Sequence, residues 1–138
     1  MTIIAMLLAF SSSAQSIWVS SHLPARNKIS ESTIRHKVEF LTDDMCEGRS
    51  TGTRGAIEAA TWIGRNFEKI KLLKSKGSYH HRFKTSKGVC GTNVIGFLPG
   101  GSKTARNKYV IVGAHFDHLG KINGTIYPGA DANASGTA

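Results

Sequence analysis

A chain of 138 residues with 40% hydrophobic residues and 15 glycines has room for one domain. It is too apolar for a disordered chain and has no run near the ~18 consecutive apolar residues of a spanning helix. Lys and Arg number 18 against 9 Asp and Glu, a formal charge of +9, and two cysteines, Cys46 and Cys90, exclude a disulfide-dense miniprotein and any four-cysteine zinc module.

Residues 3–10 (IIAMLLAF), followed by SSSAQS, have the form of a secretory signal: an apolar core ending in small residues. Ser12 and Ala14 suit a cleavage point before Gln15, although no positive charge precedes the run. On this reading 1–14 is an address, 15–29 a polar lead and 30–138 the folded part, with a buried N-terminal strand or helix as the alternative. The expected location is then exported: periplasmic, cell-surface or secreted. Export permits a disulfide between Cys46 and Cys90, and free cysteines fit equally well. Asn123-Gly124-Thr125 and Asn133-Ala134-Ser135 match the glycosylation pattern, which matters only in a eukaryotic secretory route.

Ser30 can cap a helix in which Ile34, Val38 and Leu41 share a face. Residues 43–55 (DDMCEGRSTGTRG) read as a loop whose three glycines break both periodicities, with Arg49 organising it. A second helix follows, with Ile57, Ala60, Ile63, Phe67 and Ile70 at spacings of three and four. Lys69, Lys71 and Lys74 suit the negative end of its dipole, and Gly77 is its expected stop. Residues 92–98 (TNVIGFL) and 108–114 (KYVIVGA) are β-rich, the second apolar enough for a strand buried on both faces. Helices preceding such strands indicate an α/β layer fold.

Between Trp62 and Lys108 eleven basic residues face one acid, Glu68. That balance would favour nucleic acid or an anionic surface through counterion release. Aromatic residues are not interleaved as a base-stacking platform requires. A solvated helix face and loop is the simpler reading, and no specific nucleic acid is expected.

Ala114-His115-Phe116-Asp117-His118-Leu119-Gly120 follows the expected buried strand, and carboxyl ends of strands are where α/β sheets bind ligands. Alternation puts His115 and Asp117 on one side. A neutral imidazole is a good zinc ligand, and its second nitrogen commonly donates to a carboxylate. Eleven residues after Asp117, Pro128 opens PGADANASGTA, in which Asp131 is the single carboxylate among small residues.

Together, VIVGAHFDHLG and GADANASGTA resemble the co-catalytic zinc exopeptidases of peptidase family M28, with weaker agreement through TNVIGFLPG and EGRSTGTRGAIEAATWI back to about Ser30. The resemblance implies part of a three-layer α/β/α fold with a mixed central sheet, and an aminopeptidase more than a carboxypeptidase or glutaminyl cyclase. It implies that His115 is a ligand of one zinc ion, that Asp117 is the active-site carboxylate orienting it, and that Asp131 bridges two zinc ions. Such a dizinc centre activates water and polarises the scissile carbonyl of a peptide or small amino-acyl substrate.

Two departures stand out. The family often has a second Asp where this chain has Ala132, and often makes the peptide bond there cis. It also needs a later Glu-Glu pair, another acidic ligand and a final His, whereas nothing after Asp131 is acidic or histidine. The chain therefore reads as the N-terminal part of such an enzyme, inactive alone, with an apolar strand at 109–114 lacking neighbours. Rival readings are a non-catalytic binding remnant of the same fold, a basic nucleic-acid module, and a serine hydrolase using His115, Asp117 and Ser135. The last lacks the Gly-x that precedes the serine of a nucleophile elbow. His80 and His81 are adjacent, so a strand would point them to opposite sides, and neither is given a role. His118 is expected near the substrate pocket without being a ligand.

Overall fold

The computed structural model describes residues 29–102, 104 and 108–138. The signal-like segment 1–14, and the polar lead except Ile29, lie outside the described residues. Residues 32–138 form one compact unit.

Helix α1 (Glu31–Thr42) brings Leu41 into the core, with Val38 packed at its edge and Ile34 left exposed. A 3₁₀ turn (Asp44–Arg49) follows at once, capped by the Asp43 carboxylate, which accepts from the Met45 N–H at 2.8 Å. The turn runs through left-handed Glu47, Gly48 and Arg49. Gly48 is required there: a Cβ would lie 2.5 Å from the Tyr127 carbonyl oxygen and 2.6 Å from that of Gly120. Loop 43–55 is thus a built turn pressed against a distant hairpin.

Helix α2 (Arg54–Lys69) starts on Thr53, whose hydroxyl accepts from the Ala56 N–H at 3.4 Å. Its buried face is Gly55, Ala56, Ala59, Ala60, Ile63 and Gly64, small residues that let the 3₁₀ turn approach closely. Ala60 and Ile63 are therefore inside as expected. Ile57 and Ile70 are exposed, and Ile57 and Phe67 turn toward a cleft instead. The helix stops at Ile70, not at Gly77. Lys71 takes φ 60, and Leu72 N–H donates to Phe67 O while Lys71 N–H donates to Glu68 O, both at 3.0 Å. These two bonds close the helix end as a Schellman motif, so Lys71 and Lys74 lie beyond the helix.

The strands form three two-stranded antiparallel ribbons: β1 (Leu73–Lys74) with β4 (Gly96–Phe97), β2 (His80–Lys84) with β3 (Cys90–Val94), and β5 (Gly120–Ile122) with β6 (Thr125–Tyr127). Helices with small antiparallel sheets are compatible with the α/β class. The expected mixed central sheet is not formed by the described residues, and the expected strand at 92–98 is interrupted at Ile95. Residues 108–114 are not a strand either: Val110, Ile111 and Val112 are 92–93% exposed. A strand apolar on both faces needs a cover on each, and no described element supplies one.

Leu41, Cys46, Ala59 and Ala134 are fully buried together, with Val38, Phe40, Trp62 and Phe116 packed around them. The Phe40 and Trp62 rings stack at 4.5 Å. This small core places both candidate loops, since Phe116 belongs to the HFDH segment and Ala134 to the turn after Asp131. Cys46 and Cys90 are free, the first buried and the second exposed. Burial raises the Cys46 thiol above its ordinary value, against the opposing field of Arg49. Among the described residues no helix is long and apolar enough to cross a membrane.

Candidate metal-binding site

His115 and Asp117 sit at the end of the extended 108–114 segment and line a cleft of about 990 Å³, bounded also by Ile57, Phe67 and Val110. Asp117 reaches His115: His115 Nδ1 lies 3.5 Å from Asp117 Oδ1 and 3.2 Å from the Asp117 carbonyl oxygen. A proton on Nδ1 would satisfy these acceptors and leave Nε2 free for a cation. The side chains are 62% and 49% exposed, so the pair opens to solvent on the cleft side. The second Asp117 oxygen, Oδ2, accepts from the Thr51 hydroxyl at 2.7 Å.

Asp131 lies in a π-type turn (Ala130–Ala134) between left-handed Gly129 and the single helical turn α3 (Ser135–Thr137). Gly129 packs on the His118 ring, which would meet a Cβ there at 2.4 Å. The cis peptide bond joins Ala132 to Asn133. Two side chains tie this turn to the first loop: Asn133 Nδ2 donates to His115 O at 3.2 Å and the Thr137 hydroxyl at 3.1 Å.

Other candidates fall away on geometry. Ser135 directs its hydroxyl to Asp131 O at 3.3 Å, an assignment that serves the turn and does not make a nucleophile of it. His80 Nε2 faces Ala60 O and His81 Nε2 faces Ser78 O, each at 3.1 Å. His118 packs on Gly129 and is half-buried.

Sequence reasoning passed over Thr51, Asn133 and Thr137. Thr51 stands in the glycine loop it read as connection only. Asn133 and Thr137 stand inside the second motif, where hydrogen-bonding side chains two and six residues past Asp131 were the available signal.

An imidazole and carboxylates are donor types that suit zinc. The donor count is incomplete: among the described residues no group of three or more His, Cys, Asp and Glu comes together, and a catalytic zinc uses three protein ligands plus water.

A histidine beside a carboxylate is an arrangement found around catalytic metal ions, and among the described residues the Asp131 side chain does not join the His115–Asp117 pair in one cluster. Residues 93–138 match the model of Peptidase family M28. That segment, the C-terminal third of the chain with both motifs included, is what is similar to the family. No curated protein and no solved structure matches the chain.

Proposed function

We propose that this chain contributes the first metal-binding elements of an exported, dizinc exopeptidase of the aminopeptidase type, within a three-layer α/β/α fold. The observation that supports this reading most is the His115 ring, turned with Nδ1 toward Asp117, inside the segment that matches the family. His115 and Asp131 would hold zinc. When bound, zinc supplies Lewis acidity and an activated water. The residues of this chain position the site: Asp117 keeps the His115 proton on Nδ1, and Thr51 keeps Asp117 turned toward the ring. The apolar cleft beside them would take the side chain of a peptide or amino-acyl substrate. The 138 residues alone hydrolyse peptides negligibly, because no described carboxylate stands as a general base opposite His115 and Asp131.

Zinc titration of the chain tests this, read at the His115 ring nitrogens and the Asp131 carboxylate. Weak binding that His115→Ala and Asp131→Ala each abolish is expected, with no turnover of amino-acyl anilides. A tight two-zinc complex, or hydrolysis sensitive to a chelator, would overturn the inactive-alone clause. Absence of any response at His115 or Asp131 would overturn the metal reading. It would favour a non-catalytic binding role, to which the short donor set already lends support.

A further inference from the structure

Among the described residues Arg49 is the largest fully buried side chain, with 0% of its surface exposed. Its guanidinium reaches three separate stretches of backbone. Nε donates to Phe116 O at 2.6 Å, Nη1 to Pro128 O at 2.7 Å and to Leu41 O, and Nη2 to Gly129 O at 2.9 Å. Its own carbonyl accepts from the His118 N–H at 3.1 Å. Phe116 stands between His115 and Asp117, Pro128 and Gly129 lead directly into the turn that bears Asp131, and Leu41 lies in the last turn of α1.

Burying a cation is costly unless its donors are satisfied. Desolvation lowers the Arg49 pKa from its ordinary value, opposed by the fields of Cys46 and Asp117. Four carbonyl dipoles hold the charge in place. If packing alone were at stake, an apolar side chain of similar volume would fill this position at less cost. A planar fork with five N–H donors in fixed geometry is what several converging carbonyls require, and a lysine, a point donor, does not reproduce it. The other ties between the two loops, from Asn133 and Thr137 to His115 O, involve an exposed residue. Solvent competes for them.

We propose that Arg49 is a positioning residue: a buried clamp that sets the spacing between the His115–Asp117 loop and the Asp131 turn, a spacing on which any metal held by both loops would depend. The purpose of the clamp rests on the metallopeptidase reading above; its contacts do not.

The unmutated 138-residue chain decides the contacts. Through-hydrogen-bond NMR couplings from Arg49 Nε–H to the Phe116 carbonyl and from Nη2 to that of Gly129 are expected, and their absence would overturn the clamp even if every variant failed to fold. In Arg49→Met and Arg49→Lys, amide protection at His118 and Ala134 is expected to be lost together, while the β2–β3 amides stay protected. Zinc alone, used as probe, should bind either variant about 10- to 100-fold more weakly. Ile63→Ala removes buried volume from α2 outside the cluster that holds Phe116 and Ala134, and should leave zinc affinity unchanged. Wild-type zinc affinity in Arg49→Lys, or an equal loss of affinity in Ile63→Ala, would overturn the positioning role. If the unmutated chain shows no zinc response at all, the metallopeptidase reading fails, and with it the purpose of the clamp. The couplings and the loop protection then still report whether Arg49 joins the loops.

Discussion

A ligating imidazole must carry its proton on the nitrogen turned away from the metal, and in this chain the carboxylate beside the His115 ring is itself held by one hydroxyl. Thr51 donates to Asp117 Oδ2 at 2.7 Å, leaving Oδ1 to face His115 Nδ1. Thr51→Val keeps the shape and removes the donor. The expected result is a loss of zinc affinity of about 10- to 100-fold, with folding stability changed by only ~1 kcal/mol, the net worth of one hydrogen bond. Thr51→Ser should restore affinity. Unchanged affinity in Thr51→Val, read by calorimetry with zinc, would remove Thr51 from the site. The approach of Asp117 to His115 was legible in the sequence because the two stand two residues apart in one contiguous motif. Thr51 and Arg49 were not, because they meet Asp117 and Phe116 across 66 and 67 residues of chain. Only the tertiary approach of the 3₁₀ turn to the HFDH loop gives them their roles.

Both helices were legible at the scale of the element, but their ends and exact faces were less so. The α2 terminus hides from sequence because its left-handed position is Lys71, where a glycine is the usual mark. That irregularity makes a prediction. A non-glycine residue in this conformation carries a steric cost of about 1–2 kcal/mol, partly offset by the greater chain entropy glycine loses on folding. Lys71→Gly is therefore expected to stabilise the protein by roughly 0.5–1 kcal/mol, measured as a higher denaturant midpoint with unchanged slope. A fall in midpoint would mean that Lys71 is not left-handed in solution. The β5–β6 hairpin is the converse case. Asn123 and Gly124 both have positive φ and join Ile122 to Thr125 as a two-residue turn, the strongest short hairpin signal a sequence carries. Reading that pair as a glycosylation pattern concealed it. The face of α2 shifted because Ile57 and Phe67 line the cleft, and helical period alone does not distinguish a cleft from a core.

For the molecule as a whole, two surface properties oppose each other. A net charge of +9 keeps copies apart, while Val110, Ile111 and Val112 expose 92–93% of their surface in one extended strip with unpaired backbone, a template for association. Repulsion between copies is screened within about 8–10 Å at physiological salt, whereas apolar contact is not weakened by salt. Self-association of the chain is therefore expected to rise with ionic strength, and Ile111→Lys should suppress it in light scattering across a salt series. The same variant tests where the strip lies. A side chain this exposed contributes little to folding, so Ile111→Lys should change stability by no more than about 0.5 kcal/mol. The apolar run at 108–114 fits instead a strand covered on both faces, where an unpaired lysine would cost several kcal/mol. A small change together with lower association leaves 108–114 as an open strip in this chain. A large loss of stability would show that the strip is buried in solution, and that a sheet forms around it which the three small ribbons do not account for.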